Sequence, residues 1–258
     1  IAGAAYATIL SQVMALVWQM KLLTDKRELL HIRGGTFGLE KSIVQNILGI
    51  GMSPFAMNVC ACVVVIFVNK GLHEYGGDLS LGAYGIANRM AFIFVMITMG
   101  INQGMQPIAG YNFGAQRMDR LMQVLKYSMI AATAVTTTGF LVAELVPTLC
   151  ARLFTSDATL IGMSATAIRI IMVTFPIVGF QMVITNFFQS IGKAKISMFL
   201  SLSRQMLFLL PLLITLPLWF GVDGIWWAMP ISDTIAALVT LVLMATYMKR
   251  FRRKYNCA

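Results

Sequence analysis

Charged residues are scarce in this sequence. Only 12% of the 258 residues are Asp, Glu, Lys or Arg, about half the share in an ordinary soluble domain. Hydrophobic residues make up 58%, and the mean hydropathy is +0.78. This balance excludes a soluble globular domain and indicates an all-α, polytopic membrane protein. At roughly 20 residues for each crossing, the length allows about seven transmembrane helices.

Residues that bind metals or act as nucleophiles are also few. The four cysteines form no CxxC pair, and the two histidines, His31 and His73, lie far apart and outside any HExxH pattern. We therefore predict no metal and no cofactor. An intramembrane enzyme is an alternative without a nucleophile, base or metal cluster to support it. A structural membrane subunit is a further alternative, but it gives no reason for proline-broken helices or for an acid in mid-membrane.

Acidic residues are half as numerous as basic ones, so the formal net charge is +10. The positive side chains lie in short segments between apolar stretches, which argues against a nucleic-acid partner. Fifteen of the twenty Lys and Arg residues lie in segments assigned to one side of the membrane, and only Lys70 and Arg152 lie on the other. By the positive-inside rule, we predict a multi-pass protein of the cell (inner) membrane with a cytoplasmic C-terminus.

The apolar stretches predict four parts. Residues 1–20 form a helix, residues 21–50 a cytoplasmic linker with an amphipathic helix, residues 51–248 a six-helix lobe and residues 249–258 a basic cytoplasmic tail. The predicted spans of the lobe are 51–69, 81–106, 124–146, 161–190, 196–220 and 224–248.

Glycines and prolines predict where the helices bend or stop. The cluster at 49–54 should bend the chain into the bilayer, and residues 70–80 should form an outer loop. Pro107 and the glycines that follow it should stop the third span at residue 106. Pro176 should break the fifth span, which would free backbone carbonyls inside the membrane that a transporter could use. A kink that serves only helix packing is the alternative.

Two distant helices share a pattern of small residues. When Gly3 is aligned with Gly224, small residues coincide every fourth position, at Ala7 and Ala228, Ser11 and Ser232, and Ala15 and Ala236. Small residues at this spacing let membrane helices pack closely, which is one explanation. The other is a parallel repeat, since six spans separate the two helices, and such repeats are typical of transporters built from two similar halves.

Asp233 and Arg204 are the main candidates for a functional site. Asp233 lies nine residues into its helix, about 14 Å, near the midplane of a core roughly 30 Å thick. Arg204 lies at nearly the same depth on the preceding antiparallel helix. The two are predicted to form either a structural ion pair or a group that handles substrate or protons.

Uncharged polar residues and one further arginine inside the spans are candidates for a substrate or ion path. Hydrogen bonding between helices is the alternative for each of them. These candidates are Asn58, Gln103, Gln106, Gln181, Asn186, Gln189 and Arg89.

Four segments resemble the multidrug and toxic compound extrusion (MATE) family. They are GAAYAT at 3–8, QPIAGYNFGA at 106–115, QSIGK at 189–193 and GIWWAMP at 224–230. The resemblance implies two six-helix lobes that export drugs and toxic organic compounds in exchange for protons or sodium ions. It further implies that this chain holds the sixth helix, the connecting segment and the C-terminal lobe, and that its partners are the bilayer, a small-molecule drug and the missing N-terminal lobe.

The sequence departs from the pattern of sodium-coupled members, which carry acids on the seventh and tenth helices. The corresponding spans, 51–69 and 161–190, contain no Asp or Glu. A flippase for lipid-linked oligosaccharides, from the same broad superfamily, is an alternative function. It would need a strongly basic central cavity, whereas only three arginines lie within the predicted spans.

Overall fold

A computed structural model describes residues 2–25 and 40–255. It divides into two compact units, residues 1–49 and residues 50–258. The described residues form helices and no strands, so the all-α prediction is confirmed. The helices are α1 (Ala2–Thr24), α2 (Lys41–Gly114), α3 (Met118–Leu145), α4 (Pro147–Arg152), α5 (Ala158–Met172), α6 (Phe175–Ser190), α7 (Ala194–Leu202), α8 (Leu210–Thr215) and α9 (Pro217–Tyr255). Residues 26–39 of the predicted linker and the end of the tail lie outside the described residues.

Several described helices are long and apolar enough to cross a membrane. Four helical segments have the length and the apolar composition of a membrane span: Phe55–Gly114, Met118–Leu145, Lys195–Thr215 and Pro217–Tyr247. Helices α5 and α6, which meet at a 48° bend, make a fifth crossing as a broken pair. Helix α1, which carries Gln12, Gln19 and Lys21, is not among these candidates. The fold is therefore that of a polytopic membrane protein.

Helix α2 is too long to be a single span. Its apolar part, Phe55–Gly114, has 60 residues, about 90 Å of helix against a core of roughly 30 Å. Gly77, with φ 64° and ψ −165°, is the non-helical residue inside it. Because only glycine adopts such angles without strain, the chain can reverse there in one residue. The segment therefore supplies two crossings.

The turns of α2 differ from those predicted. Residues 70–80, predicted to form a loop, are helical on both sides of Gly77, and the backbone of residues 49–54 is helical as well. Helix α2 also continues past Pro107 to Gly114, so the predicted stop at residue 106 is wrong. In a membrane each backbone polar group needs a partner within the chain. Pro107 lacks a backbone N–H and so removes only one helical hydrogen bond. Staying helical therefore leaves fewer groups unpaired than stopping would.

The predicted break in the fifth span is confirmed. Helix α5 ends at Met172 and α6 begins at Phe175, with Pro176 in its first turn. Gly179 lies against α3, where an added Cβ would meet the Thr136 hydroxyl and the Ala132 carbonyl. The glycine thus permits the close approach of α6 to α3.

A π-helical segment, Ser203–Leu209, separates α7 from α8. At its end the Leu210 N–H donates to the carbonyl of Gln205, five residues back. Pro211 follows directly, and its ring would collide with the Leu207 carbonyl in a regular α-helix. A widened π turn relieves that collision. We did not predict this segment from the sequence.

The core of the second unit consists of two hydrophobic clusters along the helices. One packs around Val68, Leu72, Ile168 and Met172, towards the end of the helices at which Gly76 lies against Val222. The other packs around Leu121, Val183, Ile184, Phe188 and Leu200. The broken helix pair contributes to both clusters: Met172 and Phe175, on either side of its bend, belong to the first, and the later residues of α6 belong to the second.

Candidate functional site

Arg204 and Asp233 form an ion pair, as predicted. The Arg204 Nε donates to the Asp233 Oδ1 at 2.6 Å. The Asp233 side chain is 11% exposed and that of Arg204 is 33% exposed. The carboxylate is thus the more deeply buried partner, and the guanidinium still reaches the surroundings.

The π-helical segment and the small-residue face of α9 position this pair. Arg204 lies in the π-helical segment, and its backbone carbonyl accepts a hydrogen bond from the Ser232 hydroxyl at 3.0 Å. Ser232, Ala228 and Ala236 are buried on α9, which lets the two helices approach closely. The pair is therefore held both through side chains and through the backbone. We did not predict this hydrogen bond of Ser232 from the sequence, although its place directly before Asp233 was a signal.

Gln106 and Asn186 form a second polar contact. The Gln106 Nε2 donates to the Asn186 Oδ1 at 3.1 Å, and the Asn186 Nδ2 donates to the Met182 carbonyl at 2.8 Å. Because that carbonyl can only accept, it fixes the orientation of both amides. Gly110 lies against Ser190 at the same offset of 80 residues, so α2 and α6 run parallel here. Two predicted candidates are thus brought together between neighbouring helices.

Two further amides are buried with an unpaired oxygen. Gln181 is 3% exposed, and its Oε1 has no hydrogen-bond partner among the described residues. Asn102 is 2% exposed; its Nδ2 donates to the Thr98 carbonyl, while its Oδ1 has no described partner. Buried polar atoms without partners are rare in native proteins. Some of the polar side chains in the predicted spans are therefore buried inside the lobe.

The remaining candidates lie on exposed helix faces. Asn58, Arg89, Gln103 and Gln189 are all exposed. In a membrane protein such faces meet lipid, water or another part of the molecule. A role for these four residues in a substrate or ion path stays a prediction.

Carboxylates elsewhere are dispersed. Within the described residues, no group of three or more His, Cys, Asp or Glu side chains is placed to hold a metal ion. Glu144 faces Arg169 at 3.9 Å, with side chains 38% and 55% exposed. The Arg204–Asp233 pair is thus the more buried and the closer of these two Arg–carboxylate contacts.

Comparison with known proteins gives consistent matches along the chain. A curated multidrug export protein, MepA of Staphylococcus saprophyticus, is 25% identical over 98% of this chain and 55% of its own length. MepA of Staphylococcus haemolyticus is 26% identical over 97% of this chain and 55% of its own length. The chain therefore spans about half the length of the curated relatives it matches.

Solved structures that resemble this chain are also multidrug transporters. The MATE multidrug transporter DinF-BH superposes with a TM-score of 0.81 and 32% identity, over 99% of this chain and 56% of that protein. An outward-facing multidrug resistance MATE family transporter of the MOP superfamily gives a TM-score of 0.85 at 22% identity, over 97% of this chain and 57% of its own, and so shows the shared fold. The MatE family profile matches residues 49–215. This chain therefore belongs to the MatE family.

Proposed function

We propose that this chain is part of a secondary active antiporter that exports amphipathic, often cationic drugs in exchange for protons or sodium ions. The match to multidrug export proteins along 97–99% of the chain supports this function. Because the match covers only 55–56% of those proteins, the transport cycle is assigned to the chain together with the missing N-terminal lobe. The lobe of residues 51–248 would form one wall of a drug path between the two lobes.

The protein is proposed to lie in the cell (inner) membrane with its C-terminus in the cytoplasm. The fifteen-to-two distribution of Lys and Arg supports it. Residues 1–20 would then be the last helix of the N-terminal lobe, and residues 21–50 the cytoplasmic connection between lobes.

The Arg204–Asp233 pair is the proposed charged element of this lobe. Spans 51–69 and 161–190 contain no acid, so a cation site built on carboxylates there is not part of the proposal. The Arg204 guanidinium, held at 2.6 Å, compensates the charge of the buried carboxylate. If protons are exchanged, protonation of Asp233 would remove the negative charge that attracts Arg204 and so weaken this pair. The pair would then link ion binding to movement of α9 against the π-helical segment.

Reconstitution tests the proposed function. The chain alone, in vesicles with an imposed proton or sodium gradient, should not move the fluorescent organic cation ethidium, since alternating access needs a second body. Adding a five-helix N-terminal fragment should give gradient-dependent flux. A pH gradient without a sodium gradient, and the reverse, would identify the coupling ion. Ion-coupled efflux by the lone chain would contradict the two-lobe arrangement.

A further inference from the structure

A pocket of about 510 Å³ opens between the end of α4 and the start of α5. Its lining residues are Arg152, Thr155, Ser156, Ala158 and Ile161. The connection that holds the pocket joins two consecutive membrane crossings, α3 and the broken pair α5–α6, so it lies at a membrane surface. Three crossings follow it, namely α5–α6, α7–α8 and α9. The pocket therefore lies on the opposite side of the membrane from the C-terminus.

Arg152 gives this pocket a positive charge that no described carboxylate neutralises. Its side chain is exposed and takes part in none of the ion pairs among the described residues, whereas Arg169 and Arg204 each face a carboxylate. No acidic residue lines the pocket. A guanidinium presents several N–H donors in a planar fork that matches the oxygens of a phosphate group. The pocket is therefore suited to an anion of this kind.

The acid nearest in sequence, Asp157, is engaged with α5 instead. Its Oδ1 accepts from the Thr159 N–H at 2.8 Å and from the Leu160 N–H at 3.4 Å, and so caps the helix. A carboxylate at this position also offsets the positive end of the helix dipole. The cap thus satisfies Asp157 without Arg152, which leaves the guanidinium available to a ligand.

Two hydroxyl groups line the pocket beside Arg152. Ser156 is exposed and Thr155 is half-buried. The Thr155 Oγ1 accepts from the Asp157 N–H at 3.3 Å, and neither hydroxyl donates to a described group. Because a hydroxyl donates as well as accepts, both can give a hydrogen bond to an oxygen atom of a ligand. Arg152 and Ser156 lie at the surface, so a ligand can reach them directly.

Apolar side chains flank the pocket along α4. Leu149, Leu153 and Phe154 are exposed, and at the end of a membrane crossing such side chains lie against lipid. The donors of the pocket are thus placed where acyl chains meet the headgroups. A phospholipid presents its phosphate at this depth, with its acyl chains beside the exposed leucines.

We propose that this pocket binds the headgroup of an anionic phospholipid such as phosphatidylglycerol. Arg152 donates to the phosphate oxygens, and Thr155 and Ser156 donate to the phosphate or to the hydroxyls of the headgroup. A headgroup that carries an amine or a choline is disfavoured, because no lining residue is acidic. The site requires neither the N-terminal lobe nor an ion gradient, so this proposal and the proposed drug transport can fail independently.

The test measures how much of each lipid gathers beside the pocket. Leu153→Cys, in a chain whose four native cysteines are replaced by alanine, carries a bimane fluorophore in phosphatidylcholine vesicles. Phosphatidylglycerol or phosphatidylcholine with brominated acyl chains, which quench bimane on contact, replaces part of the lipid at increasing mole fraction. One interfacial cation predicts half-maximal quenching by brominated phosphatidylglycerol at a roughly 5-fold lower mole fraction than by brominated phosphatidylcholine.

Two variants with the same loss of charge serve as a matched pair. Arg152→Gln should abolish the preference for phosphatidylglycerol, whereas Lys70→Gln should leave it intact. Lys70 is the other basic residue assigned to this side of the membrane, and it does not line the pocket. The double variant Thr155→Val, Ser156→Ala keeps the charge and removes both hydroxyls. It should raise the mole fraction of phosphatidylglycerol needed for half-maximal quenching roughly 2-fold or more.

Equal quenching by the two brominated lipids in the unmodified chain would overturn the proposal. So would an equal loss with Lys70→Gln, which would show a general effect of surface charge, or an unchanged result with the double hydroxyl variant. Reversal of the quenching by inorganic phosphate at constant ionic strength would identify a soluble anion rather than a lipid as the ligand. If Arg152→Gln fails to fold, as judged by circular dichroism, the lipid comparison and the hydroxyl variant still decide the question.

Discussion

Breaking the Arg204–Asp233 pair should destabilise the fold more when the arginine is removed than when the aspartate is removed. Arg204→Met keeps the apolar stem and leaves a carboxylate that is 11% exposed without its partner. Breaking a buried pair from one side typically costs about 3–5 kcal/mol. Asp233→Asn leaves a guanidinium that is 33% exposed and can reach water, so we expect a smaller loss, about 1–2 kcal/mol.

The double variant should be less destabilised than the sum of the two single variants. Once both charges are gone, no unpaired charge is left in a low-dielectric environment. We therefore expect a coupling energy on the order of 2 kcal/mol, within the range found for residues in one polar network. The assay is reversible unfolding in mixed micelles with increasing SDS, followed by far-UV circular dichroism.

The matched control is the pair Arg169–Glu144, which is 3.9 Å apart with side chains 55% and 38% exposed. Arg169→Met and Glu144→Gln should couple by less than about 0.5 kcal/mol, because exposed pairs are screened. Additive losses at Arg204 and Asp233, or coupling no larger than at the control pair, would refute the argument that burial makes this pair strong.

Three further predictions follow from the glycines and the topology. Gly77→Ala should destabilise by about 1–3 kcal/mol, because φ 64° with ψ −165° is a conformation that essentially only glycine adopts. Gly85→Ala also meets open space but has no positive φ, so it should not destabilise; equal unfolding midpoints for the two variants would contradict this expectation. Gly179→Ala should cost about 1–3 kcal/mol through its clash with α3, and a loss no larger than that of Gly85→Ala would argue against close packing there. In a cysteine-free background, Asp78→Cys and Gly114→Cys should react with an impermeant maleimide from opposite sides of the membrane, and labelling of both from one side would reject the proposed orientation.

Much of the lobe could be predicted because a bilayer imposes simple rules. A low charge content and long apolar stretches admit few structures other than helices, since lipid offers no partner for backbone groups. Depth along a helix follows from about 1.5 Å per residue, so Arg204 and Asp233 could be placed at one level before their contact was known. Pro176 could likewise be assigned to a break, because proline always removes a backbone donor.

The tertiary structure decided what depends on how helices rotate and pack. Pro107 is a strong helix breaker by propensity, yet α2 continues past it to Gly114. The contact between Gln106 and Asn186 joins residues 80 positions apart, and no local pattern specifies it.

The sequence by itself determined the membrane class, the broken helix and the depth of the charged pair, since each depends on composition or on distance along one helix. Only the tertiary structure decided the π-helical segment and the hydrogen bond from Ser232 to the Arg204 carbonyl. These features arise where one helix bends against another. Whether a polar group finds a partner there depends on ångström-scale positions that side-chain periodicity does not encode.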